Sequence, residues 1–559
     1  MVALCAACAA PQQSDKLPLA TEDAAQPANA EADVPAVQAE VAAAALGPPT
    51  SCRAATTAPQ WWHHTVGYEI FVRSFADSSG DGIGDLGGVI SHFDYLNDGK
   101  PGGDDLGVGL LWLMPVMPSP SYHGYDVSDY DSIAKDYGSL ADLDALLKLA
   151  HSRGVKVVLD FVANHTSSQP PWFAASSKGT ANADWYVWRT TAAEAGWKQP
   201  WAGGGKVWHK SGNRWYYGVF SSGMPDLNLT APAVTQALQA SAKLWLDRGV
   251  DGFRLDAVRY LVETGPGAGQ QDTAATLQWW QDFSAFVAKT KPATLLIGEA
   301  WASNAIASKY HGAGNGLPMT FDFDAQSALL AAAQSGLADG IAAVACGEDG
   351  AFPAGYARGT LLANHDMLRW PSQVTDPAER KAAIAALFLL PGTPFLYYGE
   401  EVAAENGPGG DDVAKRLPMA WDGTAQGGFT TGTPWAEFGP NQLIANVKSQ
   451  LADAGSHLRW VQKLIALRSA HPALQTGALQ LFAVPDGWLA GIRAQGDDRV
   501  LFAVHFDAAV GPAQLPPLAG LGPATLATNL VDATTLAVSA GTVQLPAIPA
   551  AGASIYALN

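Results

Sequence analysis

From about residue 61 the chain alternates between short apolar runs and longer segments with apolar positions three and four apart. The runs lie at Val66–Phe71, Gly109–Pro115, Val155–Asp160, 250–253, Thr294–Gly298, Met319–Phe323, Thr360–Ala363 and Gly392–Tyr397. Their length and continuous apolar character predict strands buried on both faces. Leu140–His151, Val234–Arg248, Gln278–Lys289 and Glu379–Leu389 carry the helical period between them. Strand and helix in repeated alternation predict a parallel α/β sheet.

Eight strand candidates are the number that closes a (β/α)8 TIM barrel. The rhythm breaks after His165 for about sixty residues rich in Trp, Tyr and Gly, too long for an ordinary βα loop. An inserted subdomain is therefore expected after the third strand. From about Gly477 the helical signal stops. Leu479–Phe482, Trp488–Arg493, Val500–Phe506, Gln544–Ile548 and Ser554–Leu558 alternate between apolar and polar positions, which predicts a C-terminal antiparallel β-sandwich. The expected units are residues 59–165 and 229–476 for the barrel, 166–228 for the insertion and 477–559 for the sandwich. Residues 1–58 come before them. Their start, MVALCAACAA, reads as a signal-peptide remnant with Cys5 or Cys8 as a lipoprotein-type cysteine, or as a plain disordered tail. Residues 11–58 read as a flexible tether.

Composition narrows the partners. A net charge of −19 over 559 residues excludes nucleic acid and anionic membranes but not a neutral polymer. No run of 18 apolar residues exists to cross a bilayer. Of four cysteines, Cys52 and Cys346 either pair in an oxidising compartment or remain buried thiols. Export, secreted or lipid-anchored, is the expected location, and a monomer the expected state.

Candidate chemistry gathers at strand ends, where such a barrel places its active site. The fourth strand ends in GFRLD (252–256). Arg254 and Asp256, two apart on a strand, share a face. They form either a structural ion pair or a carboxylate held ready for attack. Asp160 and His165 end the third strand, Glu299 the fifth, and His365 with Asp366 the seventh. Several acids in one pocket drive their pKa values apart, as glycoside hydrolysis requires. A separate loop, Asp77 to Asp85, carries Asp77, Ser79, Asp81, the Ile83 carbonyl and Asp85 at positions 1, 3, 5, 7 and 9, with Gly82 at position 6. That order matches the first part of a calcium loop, with a metal-free Asx-turn loop as the alternative. The bidentate Glu of an EF-hand is absent, since Gly88 stands at position 12.

The blocks DFVANH (160–165), MPDLN (224–228), GFRLD (252–256), GEAW (298–301) and ANHD (363–366), in that order, resemble the alpha-amylase family, glycoside hydrolase family 13. The resemblance covers the chain from about residue 61 to the end. It implies Asp256 as nucleophile, Glu299 as general acid/base and Asp366 as the carboxylate that binds sugar hydroxyls. Arg254 would hold Asp256 ionised. His165 and His365 would bond the sugar, and Tyr125 would stack under it with His123 and Asp126 nearby. RSFADSSGDGIGDLGG (73–88), RLPMAWD (416–422) and GFTTGTPW (428–435) resemble the oligo-1,6-glucosidase and trehalose-synthase branch. MPDLN resembles the neopullulanase branch, so the chain fits a group intermediate between the two. Ala257 after the nucleophile leans towards α-1,4 bonds in starch-type glucans and maltooligosaccharides. Asp126 with Arg416 could instead clamp a terminal glucose, as in exo-acting enzymes. The resemblance thus implies a retaining α-1,4-glucan hydrolase with a structural Ca2+. Its alternatives are an α-glucosidase, a trehalose-synthase-like transferase or a non-catalytic relative. Tyr260 after Arg259 departs from the His that many alpha-amylases use at a second calcium site, which puts that site in doubt.

Overall fold

The computed structural model describes residues 44–559 except 101, 170, 191–195, 348–351 and 354–355. Residues 1–43, with the signal remnant and most of the expected tether, lie outside the described residues.

Eight parallel strands close a barrel in sequence order: β1 Gly67–Ile70, β2 Leu110–Leu113, β3 Lys156–Phe161, β4 Gly252–Leu255, β5 Leu295–Gly298, β6 Met319–Phe321, β7 Ala357–Thr360 and β8 Thr393–Tyr397. Each falls on or beside an expected run. The largest offset is at β7, which ends at Thr360. Leu361, Leu362 and Ala363 are buried beyond the ladder rather than in it.

Alternation along the strands sorts two cores. Leu110, Trp112, Val158, Leu295, Ile297, Met319, Phe321 and Phe395 pack inside the barrel. Leu111, Leu113, Val157, Leu159, Phe253, Leu255 and Leu296 face the surrounding helices. The inner core is so tight that a Cβ at Gly67 would meet the Phe395 ring at 2.3 Å. At the C-terminal end the inward positions turn polar: Glu69 on β1, Asp160 on β3 and Arg254 on β4. The apolar barrel thus ends in a charged floor.

The helices return the chain with clear punctuation. Ser139 and Asp142 form a capping box on helix Leu140–Ser152. Helix Pro232–Arg248 starts on a proline and stops at Gly249, whose φ is 115°, as a left-handed C-terminal cap requires. Between β3 and β4 the chain builds helix Pro171–Ser177 and a three-stranded antiparallel sheet with Arg214–Tyr217 between Trp188–Arg189 and Trp208–Ser211. The bridge His165–Asp226 ties this insertion back to the end of β3, and Tyr186–Leu227 joins two of its own segments.

The C-terminal region is a seven-stranded antiparallel sheet. A second layer packs on it, with Leu515, Leu518, Val543, Leu545 and Ile548 against Ile492, Leu501 and Tyr556. The expected strand Gln544–Ile548 lies in that layer. It is held by the bridges Ala513–Ile548 and Leu518–Val543 rather than by a ladder, because Pro516, Pro517, Pro546 and Pro549 lack the N–H a ladder needs.

The structure corrects one boundary. The tether expected through residue 58 does not reach it. Thr50–Arg53 is a strand that pairs antiparallel with Ala478–Leu481 and forms the outer strand of the C-terminal sheet, covering an edge that would otherwise stay open. Cys52 in that strand is bonded to Cys346, which ends helix Asp339–Cys346 on the barrel.

Candidate active site

Arg254 is fully buried at the end of β4 and organises the floor of the cleft. Its Nη1 donates to Asp160 Oδ1 at 2.9 Å and to Asp256 Oδ1 at 2.8 Å. Its Nη2 lies 2.9 Å from Glu299 Oε1, an ion pair without hydrogen-bond alignment. The ring faces of Trp112 and Tyr125 lie within 5.5 Å of the guanidinium. Buried on every side and facing three carboxylates, it stays charged despite the cost of burial. Removing Arg254 would leave these buried carboxylates without their counter-charge, at about 3–5 kcal/mol.

Asp256 and Glu299 come from neighbouring strands. Ala257, between β4 and the turn that follows, has φ 49°, a left-handed conformation that costs an alanine about 1–2 kcal/mol. It turns the Ala257 N–H onto Glu299 Oε2 at 3.0 Å. Backbone strain here holds a carboxyl in place. Burial pushes both carboxyls up; Arg254 opposes this in each, and the negative neighbours reinforce it. Two such acids on one guanidinium titrate as a pair.

Asp366 differs. Burial acts to raise it, but His365 at 3.0 Å and Arg416 at 2.8 Å outweigh burial and hold it well below the carboxylate range. His365 itself is pushed up to about 9: burial opposes its charge, while Asp366 and Glu69 more than offset that. Tyr125 stacks on His365 with ring centroids 5.2 Å apart, and its hydroxyl donates to Asp160 Oδ2 at 2.9 Å. His165 is buried with Nε2 unpartnered among the described residues, and burial lowers its pKa to about 4. It therefore stays neutral, with a free nitrogen.

These groups open onto a cleft of about 370 Å³. His123, Tyr125, His165, Asp256, Glu299, Asp366 and Arg416 line it together. Every residue expected to touch sugar thus meets in one space, apart from three. Arg254 lies in the floor beneath it, and His365 lies behind Asp366. Asp126 sits back from the surface, accepting the hydroxyls of Ser119 and Ser121. Asp126 and Arg416 form no ion pair with each other. Arg416 is committed to Asp366 and reaches Asp412 at 3.6 Å.

Sequence reasoning missed several cleft residues. Trp201 and Phe220 come from the insertion, and Tyr260 follows β4. Their rings pack within 6 Å of one another. Trp301 stands elsewhere in the lining, stacked on Phe323 at 4.9 Å. Asp412 lines the cleft as well. Only the Trp- and Gly-rich composition of the insertion hinted at such rings.

The loop proposed for calcium lies elsewhere; none of its residues lines the cleft. Asp77 accepts the N–H groups of Ser79, Gly80 and Gly82 and the Thr430 hydroxyl. Asp81 accepts from Ile83 N. Asp85 caps helix Leu86–Ser91 through Gly88 N and also takes Ser78. The donors are all oxygen, as a hard cation prefers. Among the described residues, though, no three acidic, His or Cys side chains converge as a metal cluster. Asp77 already accepts a full set of hydrogen bonds, whereas Asp81 accepts one, at Oδ1.

A barrel that brings three carboxylates and two histidines into one cleft, over a buried arginine, is built for acid-assisted chemistry on a glycosidic bond. Comparison with known proteins agrees. A family model described as the alpha amylase catalytic domain matches residues 69–477. Alpha-amylase 3 of Dictyoglomus thermophilum is 33% identical over 452 residues, covering 80% of this chain and 85% of the relative. An oligo-1,6-glucosidase of Halalkalibacterium halodurans is 30% identical over 516 residues, covering 80% and 90%. The crystal structure of an alpha-amylase from H. orenii superposes with TM-score 0.78 at 34% identity, covering 89% of this chain and all of that one. The chain belongs to the alpha-amylase family of glycoside hydrolases, family 13.

Proposed function

We propose that the protein is a retaining hydrolase of α-1,4-glucosidic bonds in starch-type glucans and maltooligosaccharides. Glu299 protonates the glycosidic oxygen while Asp256 attacks the anomeric carbon from the opposite face. Water deprotonated by Glu299 then releases the covalent glycosyl-enzyme. The observation that carries this reading is the single Arg254 guanidinium shared by Asp256 and Glu299. Its aligned hydrogen bond goes to Asp256, which favours negative charge there, and the pair's remaining proton then falls to Glu299. Adjacent nitrogens of one guanidinium also suit the spacing of about 5–5.5 Å that retaining enzymes use. Asp366, kept ionised by His365 and Arg416, would accept sugar hydroxyls. Tyr125 would lie against the ring, and neutral His165 would hydrogen-bond it.

Internal cleavage is the favoured mode, because the aromatic rings of Trp201, Phe220, Tyr260 and Trp301 extend the lining. A time course on maltoheptaose tests this: mixed shorter oligosaccharides are expected at early times. Glucose alone would support the exo-acting reading that the oligo-1,6-glucosidase relatives suggest. Conversion of maltose to trehalose would support a transferase. An oxidising, extracytoplasmic setting is proposed on the Cys52–Cys346 bond, since such bonds persist outside the reducing cytosol. No described helix is long and apolar enough to cross a membrane. Calcium in the Asp77–Asp85 loop is proposed as a structural brace.

A further inference from the structure

His365 is gripped from both sides by acid. Its Nδ1 lies 2.5 Å from Glu69 Oε1, which reaches it from β1. Its Nε2 lies 3.0 Å from Asp366 Oδ2 and 2.7 Å from the Tyr125 hydroxyl. An ionised carboxylate only accepts hydrogen bonds. The aligned bond of Nε2 is to Tyr125, whose hydroxyl gives its own hydrogen to Asp160 and so accepts here. A ring bonded to Glu69 at Nδ1 and to that oxygen at Nε2 carries a proton on each. The site is closed to water: His365 is fully buried, stacked on Tyr125 and edge-on to Trp112 at 5.8 Å. The other titratable and charged groups around the pair are Arg254, Glu299 and, from β8 and the turn after it, Tyr397 and the buried Glu400. Arg416 approaches through its Nε, bonded to the His365 carbonyl.

Glu69 lies in none of the five blocks that mark the family and does not line the cleft, so it touches no substrate. We propose that Glu69 is a positioning residue that keeps His365 a doubly protonated imidazolium, so that Asp366 stays an oriented carboxylate into the alkaline range. The chain of action runs from β1 to β7: Glu69 fixes the ring, the ring fixes Asp366, and Asp366 meets the sugar. Glu69 is itself buried, and burial pushes its own carboxyl up while His365 draws it down. The charge on the ring is the counterweight that lets an acid sit there ionised. The effect on rate rests on the glycosidase reading; the protonation state of the ring does not.

Glu69→Gln keeps the shape and removes the charge. The alkaline limb of kcat/KM on maltoheptaose is expected to move down by about one pH unit or more, with a larger rate loss at alkaline than at acid pH. Glu69→Asp, which restores the charge on a shorter arm, is expected to recover part of the shift. In the unsubstituted enzyme, 15N-histidine NMR, with the signal assigned by its loss in His365→Asn, is expected to show both ring nitrogens protonated at about pH 7.5. An uncharged ring at that pH would overturn the proposal, and so would a Glu69→Gln profile of unchanged shape. If Glu69→Gln does not fold, the NMR measurement decides alone. A charged ring in an enzyme that leaves maltoheptaose intact would sink the glycosidase reading and leave this one standing.

Discussion

Replacing Glu299 by Gln separates the roles of the two paired carboxyls. The amide oxygen can still accept the Ala257 N–H now bonded at 3.0 Å. Arg254 loses its contact with Glu299 but keeps Asp160 and Asp256, so no charge is left bare and the fold should hold. What disappears is the proton delivered to the leaving oxygen. Loss of a positioned general acid costs about 10²- to 10⁴-fold, which is about 2.7–5.4 kcal/mol of barrier. On maltoheptaose, kcat/KM should fall by that factor. On α-glucosyl fluoride, whose leaving group needs no proton, formation of the glycosyl-enzyme should be nearly unimpaired. Azide, a nucleophile that needs no general base, should then restore turnover and give the azide product with retained configuration. The pH profile supplies a sign. Glu299 is among the charges that raise Asp256, so its removal lowers the Asp256 midpoint. The acid limb should shift to lower pH, and the loss of the acid's proton should drop out of the alkaline limb, leaving only the loss of charge on His365. Equal losses on both substrates without azide rescue would refute the assignment of Glu299.

Other substitutions probe neighbouring links. Ala257→Gly relieves the left-handed strain and should stabilise the fold by up to about 1 kcal/mol, while kcat falls as the grip on Glu299 loosens; calorimetry and kinetics on one sample read both. Cys52→Ser with Cys346→Ser opens a link between residues 294 apart and should cost about 2–5 kcal/mol of stability. The thermal midpoint should drop while kcat at 25 °C stays near the parent value. Removing calcium with a chelator, or Asp77→Ala, should lower the midpoint without moving the pH profile, because the loop stands apart from the cleft. A midpoint indifferent to calcium in both would leave the loop as an Asx turn alone.

The barrel was legible because its signals are local. Continuous runs such as LLIG (295–298) and the helical spacing of Leu140–His151 mark strand and helix within a few residues. The carboxylates were legible because each ends a strand, where barrel topology brings distant residues together. What stayed hidden depends on partners far along the chain. Thr50–Arg53 has the composition of its tether and becomes a strand only because Ala478–Leu481 offers it an edge. Glu69 looks like one polar residue in an apolar run until β7 brings His365 against it. Trp201, Phe220 and Tyr260 form one cluster of rings although the insertion and β4 supply them separately. Asp126 and Arg416 likewise take partners that the sequence did not name, Ser119 and Ser121 for one and Asp366 for the other.

The nucleophile can be tested by trapping. Incubation with 5-fluoro-α-glucosyl fluoride slows release of the covalent intermediate, and peptide mass mapping then finds the modified residue. The account predicts one 5-fluoroglucosyl group on the peptide that holds Asp256, and none in Asp256→Asn. An enzyme that turns over maltoheptaose with inversion and carries no label, or carries it on another carboxylate, would contradict it.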